Sequence, residues 1–175
     1  MKNLKDTPKG VKVGCLSMVV LFVFLSVIGT CSEQINLPVG NTDYELAEAF
    51  NKKAAKRNLP YRAGIKDRQE SVSEFSVSDT DWAVFLGIKT GEKIDSVLFV
   101  GGSDGSTQSG VDQVVVLSLL IEAIDDSISD KKRTDLIDHL ALAVEKPGVS
   151  IKREISPFSY TSVYRDGTGW WVTID

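Results

Sequence analysis

Hydrophobic residues along this chain follow three patterns. The first is unbroken. Val13–Thr30 carries no charge across eighteen residues, a length and composition that suit a membrane-spanning helix. The second is helical. In 42–58, Leu46, Phe50 and Ala54 fall every fourth residue, forming one stripe of an amphipathic helix. Thr42 and Glu45 form a capping box at its start, and Pro60 stops it. Leu136, Ile137, Leu140, Ala141 and Val144 make a second stripe, in a helix opened by Ser129 and closed by Lys146-Pro147-Gly148. Between the two, Val114–Ile121 is apolar everywhere but Ser118. An apolar surface all round marks a buried helix, here opened by Ser109 with Asp112 three residues on. Its valines leave a strand as the alternative, and its uncharged part, Gln113–Ile121, is too short to span a bilayer.

The third pattern is alternation. Val72–Ser78, Trp82–Lys89 and Ile94–Gly101 read as strands, the last two joined by a turn at Thr90–Lys93. Val149–Ile155 alternates again, and Tyr160–Arg165 and Trp170–Ile174 flank an Asp166-Gly167 hairpin turn. The order is helix, three strands, two helices, three strands, with short hairpins that imply antiparallel pairing. It predicts an α+β fold: a single domain with an antiparallel sheet of about six strands and two to three helices packed on one face, preceded by an N-terminal apolar helix. The chain divides into a signal or anchor segment (1–31), a polar linker with Pro38 and Gly40 (32–41) and the α+β domain (42–175).

Charge gives the leader a direction. Lys2, Lys5, Lys9 and Lys12 against Asp6 give residues 1–31 a charge of +3, so of the chain's −4 the remainder carries −7. Lysines beside a span resist crossing, which keeps that end cytoplasmic. The domain is expected on the extracytoplasmic side, in the periplasm or at the cell surface. A linker of ten residues reaches at most about 35 Å, which would hold a tethered domain close to the membrane. Retention of the anchor, cleavage by a signal peptidase near Gly29 and Cys31, and lipidation remain three open fates. Ile28-Gly29-Thr30-Cys31 resembles a bacterial lipobox, which would make Cys31 the lipidated residue, with Thr30 where Gly or Ala is usual. An acidic domain is a poor partner for nucleic acid. The only cysteines, Cys15 and Cys31, would lie about 24 Å apart along a helix, too far to bridge. The domain has no thiol chemistry.

The sharpest chemical motif is Gly101-Gly102-Ser103-Asp104-Gly105, a G-x-S-x-G spacing after a strand. A hydrolase would need Ser103, then Asp125 or Asp126, then His139. His139 falls on the polar side of its helix, about 130° from the stripe centre at 100° per residue, so it faces solvent beside Asp135 and Lys132. Hydrolase sheets of this type are also parallel and larger. Gly101, Gly102, Ser103 and Gly105 could instead present backbone N–H groups to a ligand, although no lysine follows for a phosphate. One histidine and no domain cysteine give no metal site, and nothing implies a cofactor. Asp125-Asp126 reads as a solvated helix end rather than paired acid–base carboxylates. Adjacent strand residues point to opposite faces, so one of Trp170 and Trp171 enters the core. The other, with Tyr160 and Tyr164 nearby, is a candidate partner contact unless the sheet curls to cover it.

Together the residues predict a membrane-anchored cell-envelope protein acting as a non-catalytic binding or assembly module. Its expected partners are the membrane, through the N-terminal segment, and an envelope protein, with no nucleic acid. A small serine hydrolase using Gly101–Gly105 is the alternative.

Overall fold

The computed structural model describes residues 42–175; the apolar leader, Cys31 and the linker as far as Asn41 lie outside the described residues. The fold is α+β. Helix α1 (Asp43–Lys56) leads into a four-stranded meander, β1 (Ala63–Arg68), β2 (Val72–Val77), β3 (Ala83–Thr90) and β4 (Lys93–Gly101). A helical hairpin follows, α2 (Thr107–Ile124) and α3 (Asp130–Glu145), and then β5 (Ser150–Ile155), β6 (Phe158–Arg165) and β7 (Gly169–Ile174). The seven strands form one antiparallel sheet in the order β1-β2-β3-β4-β7-β6-β5. Each half starts with a helix, runs to an outer strand and meanders inward, so β4 and β7 meet at the centre.

The sheet has seven strands rather than about six. The extra one, β1, has no apolar alternation to announce it: of Ala-Gly-Ile-Lys-Asp-Arg only Ala63 is buried, and Ile65 is half-buried. Hydrogen bonds to β2 make it a strand, with a bulge between Ile65 and Asp67. Thr42 and Glu45 form the expected reciprocal capping box, and Ser129 caps α3. Helix α2 starts earlier than its apolar run suggests. Ser106, not Ser109, is the N-cap, with its hydroxyl accepting from the Ser109 N–H. Ser109 and Asp112 therefore sit inside the helix, and both are buried.

One core cluster draws on all three helices and on alternate strand positions. It includes Leu46 and Phe50 of α1, Leu117, Leu120 and Ile121 of α2, and Leu136 and Leu140 of α3. Phe75, Phe85, Phe99, Trp170, Val172 and Tyr160 meet them from the sheet. Phe75 stacks on Phe85 with ring centroids 4.6 Å apart, and each such side chain stabilises the fold by about 1.5–3 kcal/mol on burial. In α3 the inward face is Leu136, Leu140 and Ala143, while Val144 is 43% exposed. That rotation carries His139 toward the core, so it is half-buried rather than solvent-facing. Helix α2 is not buried all round either. By length and composition it could cross a membrane, but Leu117, Leu120 and Ile124 are fully covered in the core while Val111 and Val114 stay exposed.

Candidate functional site

The Gly101–Gly105 segment leaves the end of β4 and reaches the Ser106 cap of α2. A Cβ at Gly101 would lie 2.5 Å from Gln113 Oε1, so any larger residue there would displace the Gln113 side chain. Ser103 is held by its neighbours. Its Oγ accepts the Gly105 N–H at 2.9 Å and lies 2.9 Å from Ser109 Oγ. Ser109 gives its own proton to the Ser106 carbonyl, so Ser103 is the donor of that pair. Neither an imidazole nor a carboxylate hydrogen-bonds to Ser103 among the described residues. Asp125 accepts from Ser127, and Asp126 pairs with Lys53. The sequence order Ser, acid, His is present, but these side chains are not brought together.

Beside the loop lies a depression of about 380 Å³, lined by Val77, Ser78, Asp79, Thr80, Asp81, Trp82 and Asp112. The Gly102 N–H donates to the Trp82 carbonyl at 2.8 Å, joining loop to depression. Asp112 is 6% exposed and accepts from Tyr61 Oη at 2.8 Å and from Gln108 Nε2 at 2.6 Å. Burial and the Asp112 charge push the Tyr61 hydroxyl up to about 12, so it stays protonated and donating. Asp104 is held below the usual carboxylate range by donors from Ser106, whose backbone N–H lies 2.9 Å from Asp104 Oδ1. With four acids around the loop and its depression, the local field opposes an anion.

The aromatic hairpin is covered. Trp170 points into the core, edge-on to Phe99 at 6.0 Å, and its Nε1 donates to Ser162 Oγ at 2.7 Å. Trp171 lies on the opposite face yet is only 8% exposed. Val100 and Val163 flank it across the strands, the Arg165 guanidinium sits 5.7 Å over its ring, and its Nε1 donates to the Thr168 carbonyl. Tyr160 is fully buried, its hydroxyl without a partner and its pKa raised by burial. Tyr164 is half-buried against the core. The exposed tryptophan that the alternation suggested is absent, because its own turn folds back over it.

Exposed apolar surface lies elsewhere, on the helix layer. Val111 is 47% and Val114 42% exposed. Beside them a groove of about 260 Å³ runs between the end of α1, the middle of α2 and α3, lined by Arg57, Leu59, Val114, Val115, Ser118, Leu119, Thr134, Ile137 and Asp138. Ions fix its floor and one end. Glu122 takes Arg57 at 2.8 Å and Arg133 at 3.3 Å, and Arg133 Nε donates to Ser118 Oγ at 3.0 Å. Sequence reasoning missed this groove because its walls come from three distant segments. The one legible signal was an apolar run too long for a single buried face. No group of His, Cys, Asp and Glu that could hold a metal occurs among the described residues. No protein-family model matches this chain, and no curated protein or solved structure matches it.

Proposed function

We propose that this protein is a membrane-tethered module on the extracytoplasmic side that binds an envelope partner and does not catalyse. The tether rests on the charge-free run Val13–Thr30 behind four lysines. The binding role rests on one observation: valines 111 and 114 stand in solvent beside the groove that Leu59 and Ile137 deepen. Contiguous exposed apolar surface of this kind marks contact sites in soluble domains, and a rim carrying Arg57 and Asp138 supplies polar specificity around it.

A photo-crosslinking residue at Val114 in the full-length protein, expressed in its own cells, tests this reading. The expected product is a discrete adduct with another envelope protein, lost when Ile137→Asp spoils the groove. A Val114 probe that yields no adduct while an exposed control such as Lys131 behaves identically would remove the binding role. A carboxyl-terminal reporter found active only in the cytosol would remove the location.

A further inference from the structure

The sheet has two edges, and the fold treats them differently. At β1 the backbone is closed off. Asn51 of α1 clamps Ala63, accepting its N–H at 2.7 Å and donating to its carbonyl at 3.0 Å. Asp67 accepts the Arg68 N–H at 2.8 Å, and the bulge between Ile65 and Asp67 breaks the line of the strand. Side-chain caps and bulges of this kind keep an edge from pairing. β5 lacks both the cap and the bulge, and its one guard is the run of charges Lys152, Arg153 and Glu154. It pairs with β6 without a bulge through all six residues. Among the described residues, no side chain hydrogen-bonds to its backbone. Apart from the half-buried Ile151 and Ile155, its residues are exposed.

The side chains of β5 are self-complementary. Antiparallel pairing of Ile151-Lys152-Arg153-Glu154-Ile155 with a second copy, centred on Arg153, puts Ile151 opposite Ile155 and Lys152 opposite Glu154, each twice. The pleat agrees. Ile151, Arg153 and Ile155 lie opposite Ser162, Tyr160 and Phe158, on the core side, and Lys152 and Glu154 lie on the other. Within one chain Lys152 and Glu154 already pair at 2.8 Å with both side chains well exposed, so they can turn to the neighbouring copy at little cost. Directly opposed unlike charges and apolar pairs stabilise strand pairing. Centring on Lys152 instead would set Lys152 against Lys152 and Ile151 against Arg153. Pro157 and Pro147 bracket the strand and limit the pairing to this segment.

We propose that β5 is a homodimer edge: two copies join through β5 about a two-fold axis at Arg153, giving one continuous sheet with both helix layers on the same side. The one like-charged contact is Arg153 against Arg153. This contact makes the register testable. It does not depend on the tether or on the groove over α2.

The experiment is the monomer–dimer equilibrium of the full-length protein in detergent, by sedimentation velocity across a concentration series. Lys152→Glu should weaken the dimer about tenfold by setting like charges opposite each other. Glu154→Lys should do the same, and the two together should restore wild-type affinity. Arg153→Thr should tighten the dimer by relieving the axial repulsion. Carbodiimide coupling of mixed light and isotope-labelled protein should link Lys152 of one copy to Glu154 of the other. A chain that is monomeric throughout overturns the proposal. So does a dimer indifferent to both single charge reversals, which would point to the leader or another surface. Helical content by circular dichroism separates loss of association from loss of folding.

Discussion

Asp43 and Lys89 meet in the interior, Oδ2 to Nζ at 3.2 Å, with side chains 1% and 5% exposed. One belongs to the first turn of α1 and the other to β3. Arg68 reaches the same oxygen at 2.7 Å from the surface side. The Ser73 hydroxyl and Asp43 Oδ1 are buried beside this cluster, and neither has a hydrogen-bond partner among the described residues. The carboxylate also sits where the helix dipole favours negative charge. The first turn of α1 is thus fixed by charge to the ends of β1 and β3, at Arg68 and Lys89.

Replacing Asp43 should therefore cost far more than a surface change. Burial alone would raise its pKa, but the hydrogen bonds and charges of Arg68 and Lys89 outweigh that and hold it below the usual carboxylate value. A depressed carboxylate contributes stability that is fully present above its unfolded pKa, about 3.9. That contribution disappears as pH falls through the lower, folded value. Asp43→Asn leaves Lys89 buried without its counter-charge, and should lower stability by about 3 kcal/mol at pH 7. The gap from wild type should close only below about pH 4. Urea unfolding at a series of pH values checks this, and a gap that stays constant down to pH 2 would show that the pair is inert.

Gly169 is pinned for a different reason. Its φ is +94°, and a Cβ there would lie 2.0 Å from the Gly101 carbonyl oxygen on the neighbouring central strand. An alanine must push β4 and β7 apart, where the two halves of the sheet join. Gly105, with φ +84° and open space around it, isolates the backbone strain alone. Gly105→Ala should cost about 1 kcal/mol, and Gly169→Ala several times that. Thermal unfolding of the two variants side by side reads the difference, and equal losses would mean that the β4–β7 contact yields freely.

Most of the fold was legible where local chemistry and tertiary packing agree. Thr42 with Glu45, Ser129, and the turns at Gly91 and Gly167 act as their residue types predict. Most of the misses come from a partner outside the local window, while the Ser106 cap and the turn over Trp171 are local but have no apolar period to announce them. β1 looks like a charged loop until β2 pairs with it. Ser109 looks like a cap until Ser106 takes that role and Asp112 turns to Tyr61. Ala143 displaces Val144 from the core because β6 lies under one side of α3, where Ser162 Oγ donates to the Leu140 carbonyl. Trp171 looks exposed until Thr168 and Arg165 fold over it. The groove over α2 needs Leu59 and Ile137 at once, and no sequence period connects them.

Ser103 provides a test of the alternative, enzymatic reading. Its hydroxyl donates to Ser109 and accepts from Gly105, and no general base touches it among the described residues. A fluorophosphonate probe should leave the purified protein unlabelled from pH 6 to about 9. Ser103→Ala should change stability by less than about 1 kcal/mol, the usual worth of a partly exposed hydrogen bond. Stoichiometric labelling lost in Ser103→Ala would reinstate the hydrolase.

Glu122 is the other place where charge organises packing, and it can be separated from the apolar core around it. Its side chain is 10% exposed and faces three cations, Arg57, Arg133 and, at 3.9 Å, Lys53. Asp126 and Asp130 balance them from the surface: Lys53 holds the first below the usual carboxylate range, and Arg133 and Arg57 hold the second. Arg133 is only 6% exposed, so removing Glu122 leaves a buried guanidinium with only Asp130 and Ser118. Glu122→Leu alone should cost about 3 kcal/mol, because breaking a buried pair strands the remaining charge. Arg133→Met alone should cost less, since Arg57 and Lys53 still neutralise Glu122. The double variant should recover most of the loss, because apolar side chains of similar volume often replace a buried pair without penalty. A double-mutant cycle by urea unfolding measures the coupling directly. Strictly additive losses would show that these ions only decorate the junction of α1, α2 and α3, and that the groove floor is held by the valine and leucine contacts alone.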